Sequence, residues 1–508
     1  MTGLSPDFAA FEAEYAAGRN QVVYARLAAD LDTPVSLMLK LAGGRPDSFM
    51  LESVTGGEVR GRYSIIGLKP DLIWQCRGDG ARINRSARFD ADAWTDEAPG
   101  ALTSLRALIE ESRIALPHGL PAAAAGLFGY LGYDMVRLVE RLPDVNPDPL
   151  GLPDAVLLRP SVVAVLDGVK GEVTVVAPAW AASGLSARAA YAQAAERVMD
   201  ALRDLERGVP GEGREMGEAA EPAEPVSNFT KDAYLAAVAK AKEYIRAGDI
   251  FQVVPSQRWT QDFPLPPFAL YRSLRRTNPS PFMFYFDFGP ATGGFQVVGA
   301  SPEILVRVFG GEVTIRPIAG TRPRGATPEA DRALEAELLA DEKERAEHLM
   351  LLDLGRNDVG RVAKIGTVRP TERFVVERYS HVMHIVSNVV GELSDEHDAL
   401  SALLAGLPAG TVSGAPKVRA MEIIDELEPE KRGVYGGGVG YFSAMGDMDV
   451  CIALRTAVLK DGRLHIQAGG GVVADSDPEA EWQETVNKAR AIRTAAAEAG
   501  RFTGRGNG

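Results

Sequence analysis

Two acidic helical stretches carry side chains that could do chemistry. Near the C-terminus, SDPEAEWQETVNKARAIRTAAAE sets Trp482, Val486, Ala489 and Ile492 in an apolar stripe, with Glu481, Glu484 and Lys488 off that stripe. Ser476 and Glu479 have capping-box spacing and Pro478 falls in the first turn, so a helix is expected to begin there. The second stretch, DEKERAEHLMLLDL, sets Glu344 and Glu347 one turn apart beside His348. Glu484 and Lys488 suit a solvated i,i+4 ion pair. Carboxylates converging from two helices with waters and a substrate oxygen are also what Mg2+ prefers. Spacing alone leaves both readings open.

Arg455 lies in MDVCIALRTAVLK, where alternation puts Val450, Ile452, Leu454 and Val458 on one strand face and Cys451, Ala453, Arg455 and Ala457 on the other. An arginine among small residues has room to reach an anion, or to snorkel to solvent. Asp461-Gly462 predicts a tight hairpin returning through RLHIQAGGGVV. Glycines 469–471 would let backbone N–H groups approach a carboxylate. His384, in YSHVMHIVSNVV, is the histidine of the six whose burial is expected to shift an imidazole most. GTVSGAPKVRAMEI leads into a helix with Lys417 and Arg419 in its first turn, a candidate anion cradle. In RPIAGTRPRG, residues 316–325, prolines and glycines suggest a loop, with Arg322 and Arg324 adding local positive charge.

These residues need a scaffold, and the chain is long enough to supply one. It has 508 residues, with 55 Lys+Arg against 69 Asp+Glu, a formal charge of −14. An acidic balance without a basic patch argues against nucleic-acid or membrane-surface partners. Cys76 and Cys451 are the only cysteines and lack metal-ligand or disulfide spacing, which fits a reducing cytoplasm. No secretory leader or membrane-length apolar run is expected.

The Gly-, Pro- and Glu-rich segment 205–228 reads as a linker between residues 1–204 and 229–508. Strands are expected at VSLMLKL, DSFMLESV, RYSIIGL, DLIWQC, AVLLRPSVVAVLD and GEVTVVAP, and helices at TSLRALIEESRIAL and ARAAYAQAAERVMDALRDLE. The second part opens with KDAYLAAVAKAKEYIRAGD, whose Tyr234, Val238, Ala241 and Ile245 repeat at helical spacing before Gly248. A long helical region is expected from Thr327 to about Val362. Runs of strands and helices, rather than alternating βαβ units, predict an α+β fold, a large mixed antiparallel-sheet sandwich flanked by helices.

Taken together, ASPEILV, IAGTRPRG, EHLMLLDLGRND, YSHVMHIVS, PAGTVSGAPKVRAMEII, YGGGVGYF, ALRTAV and QAGGGVVADSDPEAEWQET resemble the chorismate-utilising enzymes in order and spacing over nearly all of 229–500. FMLESV and GRYSIIG resemble the regulatory half of the anthranilate synthase large subunit. The resemblance implies Glu303, His384 and Thr411 as catalytic residues, and Gly320, Thr321, Tyr435, Arg455, Gly469, Gly470 and Gly471 as substrate-binding residues. It implies Glu347 and Glu484 as ligands of Mg2+, and Ser53, Pro281, Phe282 and Met283 as an allosteric tryptophan site. Anthranilate formation as the first step of tryptophan biosynthesis follows from it, with ammonia from a separate glutaminase subunit in a heterotetramer of two large and two small subunits. Aminodeoxychorismate synthases carry a nucleophilic lysine where this chain has Ala319. An idle tryptophan sensor would be expected to lose a magnesium glutamate or Arg455, and neither is lost.

Overall fold

A computed structural model describes residues 3–54, 62–98, 100–209, 224–379 and 382–503. Its core lies between two faces of strands. Phe49, Phe128, Phe284, Phe286, Phe288 and Phe295 meet there with no helix between them. The outer faces are covered by helices: Ala187–Glu206, Pro267–Thr277 and Pro478–Glu498 pack into one cluster. Ala101–Glu111, Glu342–Gly360 and Ala399–Gly406 pack into another. Every registered strand pair is antiparallel, so the expected α+β sandwich is what the chain forms.

Strand Ala155–Asp167 shows how one sequence serves both layers. All its residues are buried. Val156, Leu158, Val163 and Val165 face the inner core, while Ala155 and Leu157 meet one helical layer and Val162, Ala164 and Leu166 the other. Its partner Tyr63–Arg77 joins RYSIIGL and DLIWQC into one strand, with a register shift between Pro70 and Leu72 that bends the pair.

Strand pairs also cross the segment read as a linker, since Phe284 pairs with Leu51 and Gly440 with Gly129. Helix Ala187–Glu206 runs into that segment, and Val226–Ser227 already pair with strand Ser256–Asp262. Residues 210–223 lie outside the described residues.

Several local expectations need correction. VSLMLKL is a helix, Pro34–Leu41, because Thr33 and Ser36 cap each other and Leu37, Met38 and Leu41 fall on one helical face. The C-terminal helix is capped by Asp477 rather than Ser476, whose hydroxyl instead binds Glu481 at 2.6 Å. The region from Thr327 is two helices, Pro328–Ala340 and Glu342–Gly360, parted at Asp341, whose side chain caps the second. RPIAGTRPRG is largely a strand, Ile318–Pro323, rather than a loop.

Candidate functional site

The bulge in that strand sets the first part of the site. Ala319 pairs with Ile385 and Thr321 with His384, so Gly320 is the extra residue, at φ +74. Only glycine takes that conformation without cost, and the bulge turns its carbonyl toward His384. His384 Nδ1 lies 3.1 Å from Gly320 O and 3.0 Å from Thr321 Oγ1. A carbonyl only accepts, so Nδ1 carries the hydrogen and Nε2 keeps its lone pair. The Tyr379 ring packs edge-on against the imidazole, with centroids 5.5 Å apart. Burial lowers the His384 pKa to about 4, keeping it neutral at pH 7. It is not unique, because burial also holds His348 and His465 at about 4.

Glu303, at 6 % exposure, is held by Thr411, whose hydroxyl donates to its Oε1 at 3.3 Å. Burial raises its pKa to about 8, so it carries a proton at neutral pH. A protonated carboxyl and a neutral imidazole, both within reach of the charges of Arg455 and Lys488, are an acid and a base set apart by environment.

Arg455 occupies a break in what the alternation suggested was one strand. Met448–Ile452 and Thr456–Lys460 flank it, and its φ of +47 is unusual for a residue with a side chain. The phase of the pattern slips there: Val458 joins Cys451 and Ala453 in the inner core, and Ala457 faces the opposite layer. The Arg455 guanidinium has no hydrogen-bond or ion-pair partner among the described residues, and burial holds its pKa below the ordinary arginine value. Arg322 and Arg324 do not add free charge, since Glu337, Asp341 and Glu344 take the first and Asp331 the second.

The hairpin at Asp461-Gly462 forms with both residues at positive φ, as the primed turn requires. It carries Gly469–Gly471 back between Tyr435 and the acidic helices. A Cβ on Gly469 would lie 2.9 Å from the Tyr435 hydroxyl; on Gly470, 3.1 Å from Glu481 Oε2; on Gly471, 2.8 Å from Gln252 Nε2. Gln252 donates to Glu347 Oε1 at 3.0 Å.

Lys488 ties these parts together. It pairs with Glu484 at 2.7 Å and donates to Gly469 O at 3.0 Å. Its charge also acts on Tyr435 and Glu347, and on Glu303 and His384. The expected i,i+4 pair therefore exists with both side chains nearly half exposed, and the lysine also reaches inward to the glycine strand. Glu481, placed on the water-facing side by the sequence pattern, is buried. The cradle expected at Lys417 and Arg419 does not form, because Lys417 pairs with Asp358 and Arg419 with Asp249 and Glu422.

The carboxylates suit a divalent cation. Burial raises the Glu347 pKa, and the charges of Glu344 and Glu484 push the same way. Glu481 Oε2 is buried without a partner among the described residues. Among the described residues no group of three or more His, Cys, Asp or Glu side chains is gathered as a metal-binding cluster. Glu347 and Glu484, whose charges reach each other, are a two-carboxylate set of the kind Mg2+ completes with waters and substrate oxygens.

Ser53, Pro281, Phe282 and Met283 lie elsewhere, together lining a cavity of about 590 Å3 between the strand layers. Tyr441 and Tyr63 complete its wall, and Tyr379 sits at its end nearest His384. Sequence reasoning missed Lys488, Gln252 and Tyr379 as parts of the cleft. A lysine four residues from a glutamate was visible, but not the strand it would face.

Residues 69–494 match the family described as chorismate binding enzyme. Over 99% of both chains, the sequence is 77% identical to anthranilate synthase component 1 of Cereibacter sphaeroides. It is 52% identical to the component 1 of Pseudomonas putida, covering 95% of this chain and 96% of that one. Anthranilate synthase component I from Streptococcus pneumoniae TIGR4 superposes with a TM-score of 0.76 at 37% identity, covering 92% of this chain and 98% of that one.

Proposed function

The chain belongs to the chorismate binding enzyme family, and from that premise we propose that it is the large subunit of an anthranilate synthase. It takes chorismate and ammonia to anthranilate, pyruvate and water by way of 2-amino-2-deoxyisochorismate. The observation that carries this reading is one cleft that holds a protonated Glu303, a neutral His384 and a guanidinium, Arg455, with no partner among the described residues.

Chorismate brings two carboxylates, a ring hydroxyl and an enolpyruvyl ether. Arg455 and the amides of Gly469–Gly471 bind one carboxylate by charge-assisted hydrogen bonds in a water-poor setting, with the Tyr435 hydroxyl beside them. Gly320 and Thr321 present the ring to the imidazole. Glu347 and Glu484 would hold Mg2+, which when bound would supply a Lewis acid that draws electron density toward the ring carboxylate. As ammonia adds at C2, the C4 hydroxyl departs with the proton of Glu303, and the nitrogen sheds a proton in turn. His384 Nε2 then accepts the C2 proton as pyruvate leaves and the ring aromatises. Ala319 offers a methyl group and no nucleophile, which supports direct attack of ammonia at C2 rather than amination at C4.

Among the described residues no glutamine-hydrolysing element accompanies this site. Cys76 and Cys451 are buried and burial raises their thiol pKa values, so neither is a ready nucleophile. Ammonia comes from a glutaminase subunit, in a complex of two large and two small chains working in the cytoplasm. Residues 1–204 supply much of the regulatory part and 229–508 the catalytic part. Tryptophan binds at Ser53, Pro281, Phe282 and Met283, and the size of their cavity supports an amino-acid ligand. Its binding favours a conformation in which the cleft closes poorly.

The test is to mix the purified chain with chorismate, Mg2+ and ammonium, without a partner, and follow anthranilate fluorescence. Isochorismate or 4-amino-4-deoxychorismate as the product overturns the reading.

A further inference from the structure

Behind Glu303 lies a second, small cavity of about 20 Å3, lined by Glu303, Thr411 and Asp358 and by the apolar groups of Ile315 and Pro317. That volume takes a single water, and three residues with polar side chains are among those lining it. Asp358 is 4 % exposed, and its two carboxylate oxygens accept from Lys417 Nζ at 2.9 and 2.8 Å. The mechanism above uses neither residue. A buried ion pair is costly to desolvate and is weak evidence for stability by itself, so its place against the back of the acid asks for another reason.

We propose that Asp358, clamped by Lys417, is a positioning residue for Glu303, acting through one buried water lodged between them. The inference rests on Glu303 being the acid of anthranilate formation. Thr411 holds Oε1 of Glu303 from one side. The water donates one O–H to Asp358 and meets the Glu303 carboxyl with its remaining capacity, so the carboxyl cannot turn back into the cavity and stays aimed at the substrate. When Glu303 releases its proton to the departing hydroxyl, the water turns an O–H toward the new carboxylate. The proton shed by the adding nitrogen restores the acid, and nothing is consumed. Arg455 and Lys488 face Glu303 from the substrate side, and Lys417 and Arg361 face Asp358.

Gly355→Ala tests this without touching a charge. Gly355 lines the cavity, and its new methyl would sit 3.4 Å from Ile315 Cγ2 and 3.9 Å from Pro317 Cδ, ordinary contacts. Alanine also favours the helix. The added methyl is expected to take up part of the small cavity's volume and so to displace the water, with a melting temperature close to the parent's as the check that the fold is kept. Asp358→Asn removes the clamp itself. The readouts are the pH profile of kcat for ammonia-dependent anthranilate formation, KM for chorismate, and the melting temperature. Both variants are expected to lose roughly tenfold in kcat and to move the alkaline limb by about half a pH unit, with KM within about twofold. A Gly355→Ala variant with the parent kcat and pH profile overturns the proposal. So does an Asp358→Asn variant whose only change is a lower melting temperature. Absence of anthranilate from the parent chain itself would instead overturn the proposed function.

Discussion

The cleft around Glu303 and the cavity around Ser53 are neighbours that treat charge in opposite ways. Among the described residues the cavity's arginines all have ion-pair partners, Arg62 with Asp167, Arg307 with Asp449 and Arg316 with Glu377, although Arg307 Nε, Arg316 Nε and Asp449 Oδ1 are buried without a hydrogen bond. The carboxylate of Glu52 at its edge is taken by Tyr271 and Arg275. In the cleft, charge is left uncompensated or shifted. Arg455 has no partner among the described residues, Glu303 holds a proton, and Glu347 is crowded by other carboxylates. A binding cavity gains from apolar walls with satisfied polar groups, whereas catalysis needs groups whose interactions are completed only by the reacting substrate. Tyr379 touches both regions, lining the cavity and packing on His384.

Breaking the cleft should cost most. Arg455→Ala removes the cation for a substrate carboxylate, and kcat/KM for chorismate is expected to fall by about 10^3-fold or more. A loss below about tenfold in steady-state fluorescence assays would remove Arg455 from substrate binding. Glu303→Gln should reduce anthranilate formation by roughly 10^2- to 10^4-fold. In the parent chain, the rate is expected to fall as pH rises through about 8, where the acid ionises.

The same variant sharpens the comparison through stability. The folded-state pKa of Glu303 is raised from 4.5 to about 8, so its contribution is full below 4.5 and lost as pH rises toward 8. Relative to Glu303→Gln, the parent should lose at most about 1.4 kcal/mol per pH unit across that window. Denaturant titrations at several pH values read this directly, and parallel curves for the two chains would mean that Glu303 is not buried as a neutral acid.

His384→Ala is expected to let the amino intermediate accumulate, seen by chromatography of the reaction, while unchanged anthranilate output would exclude His384 from the elimination. The smallest effect on turnover belongs to the cavity. Ser53→Phe should raise the tryptophan concentration for half-inhibition by about tenfold or more, a coupling energy near 1.4 kcal/mol, and keep more than half of the uninhibited rate. If inhibition is untouched, tryptophan acts elsewhere.

Much of the local structure is legible in the order of the amino acids. The helix Lys231–Ala247 ends at Gly248 as its spacing suggests, and the Asp461-Gly462 turn forms the hairpin that its residues demand. Local pattern fails where neighbours decide. Pro34–Leu41 reads as a strand because short apolar runs do not declare their period. The strand through Arg455 breaks where the backbone leaves the extended region.

The sequence by itself determined which chemical groups the chain owns and how each element is patterned: the ordered motifs, the alanine at 319, and the glycines that allow close approach. Only the tertiary structure decided what those groups meet. Glu484 with Lys488 has the same spacing whether or not the lysine also reaches inward to the glycine strand, and Glu303 has an ordinary acidity until it is enclosed. Periodicity reports one element at a time. The contacts that matter here, such as Thr411 on Glu303 and Lys488 on Gly469, join different elements, and the pKa of a buried group depends on the solvent that its distant neighbours exclude.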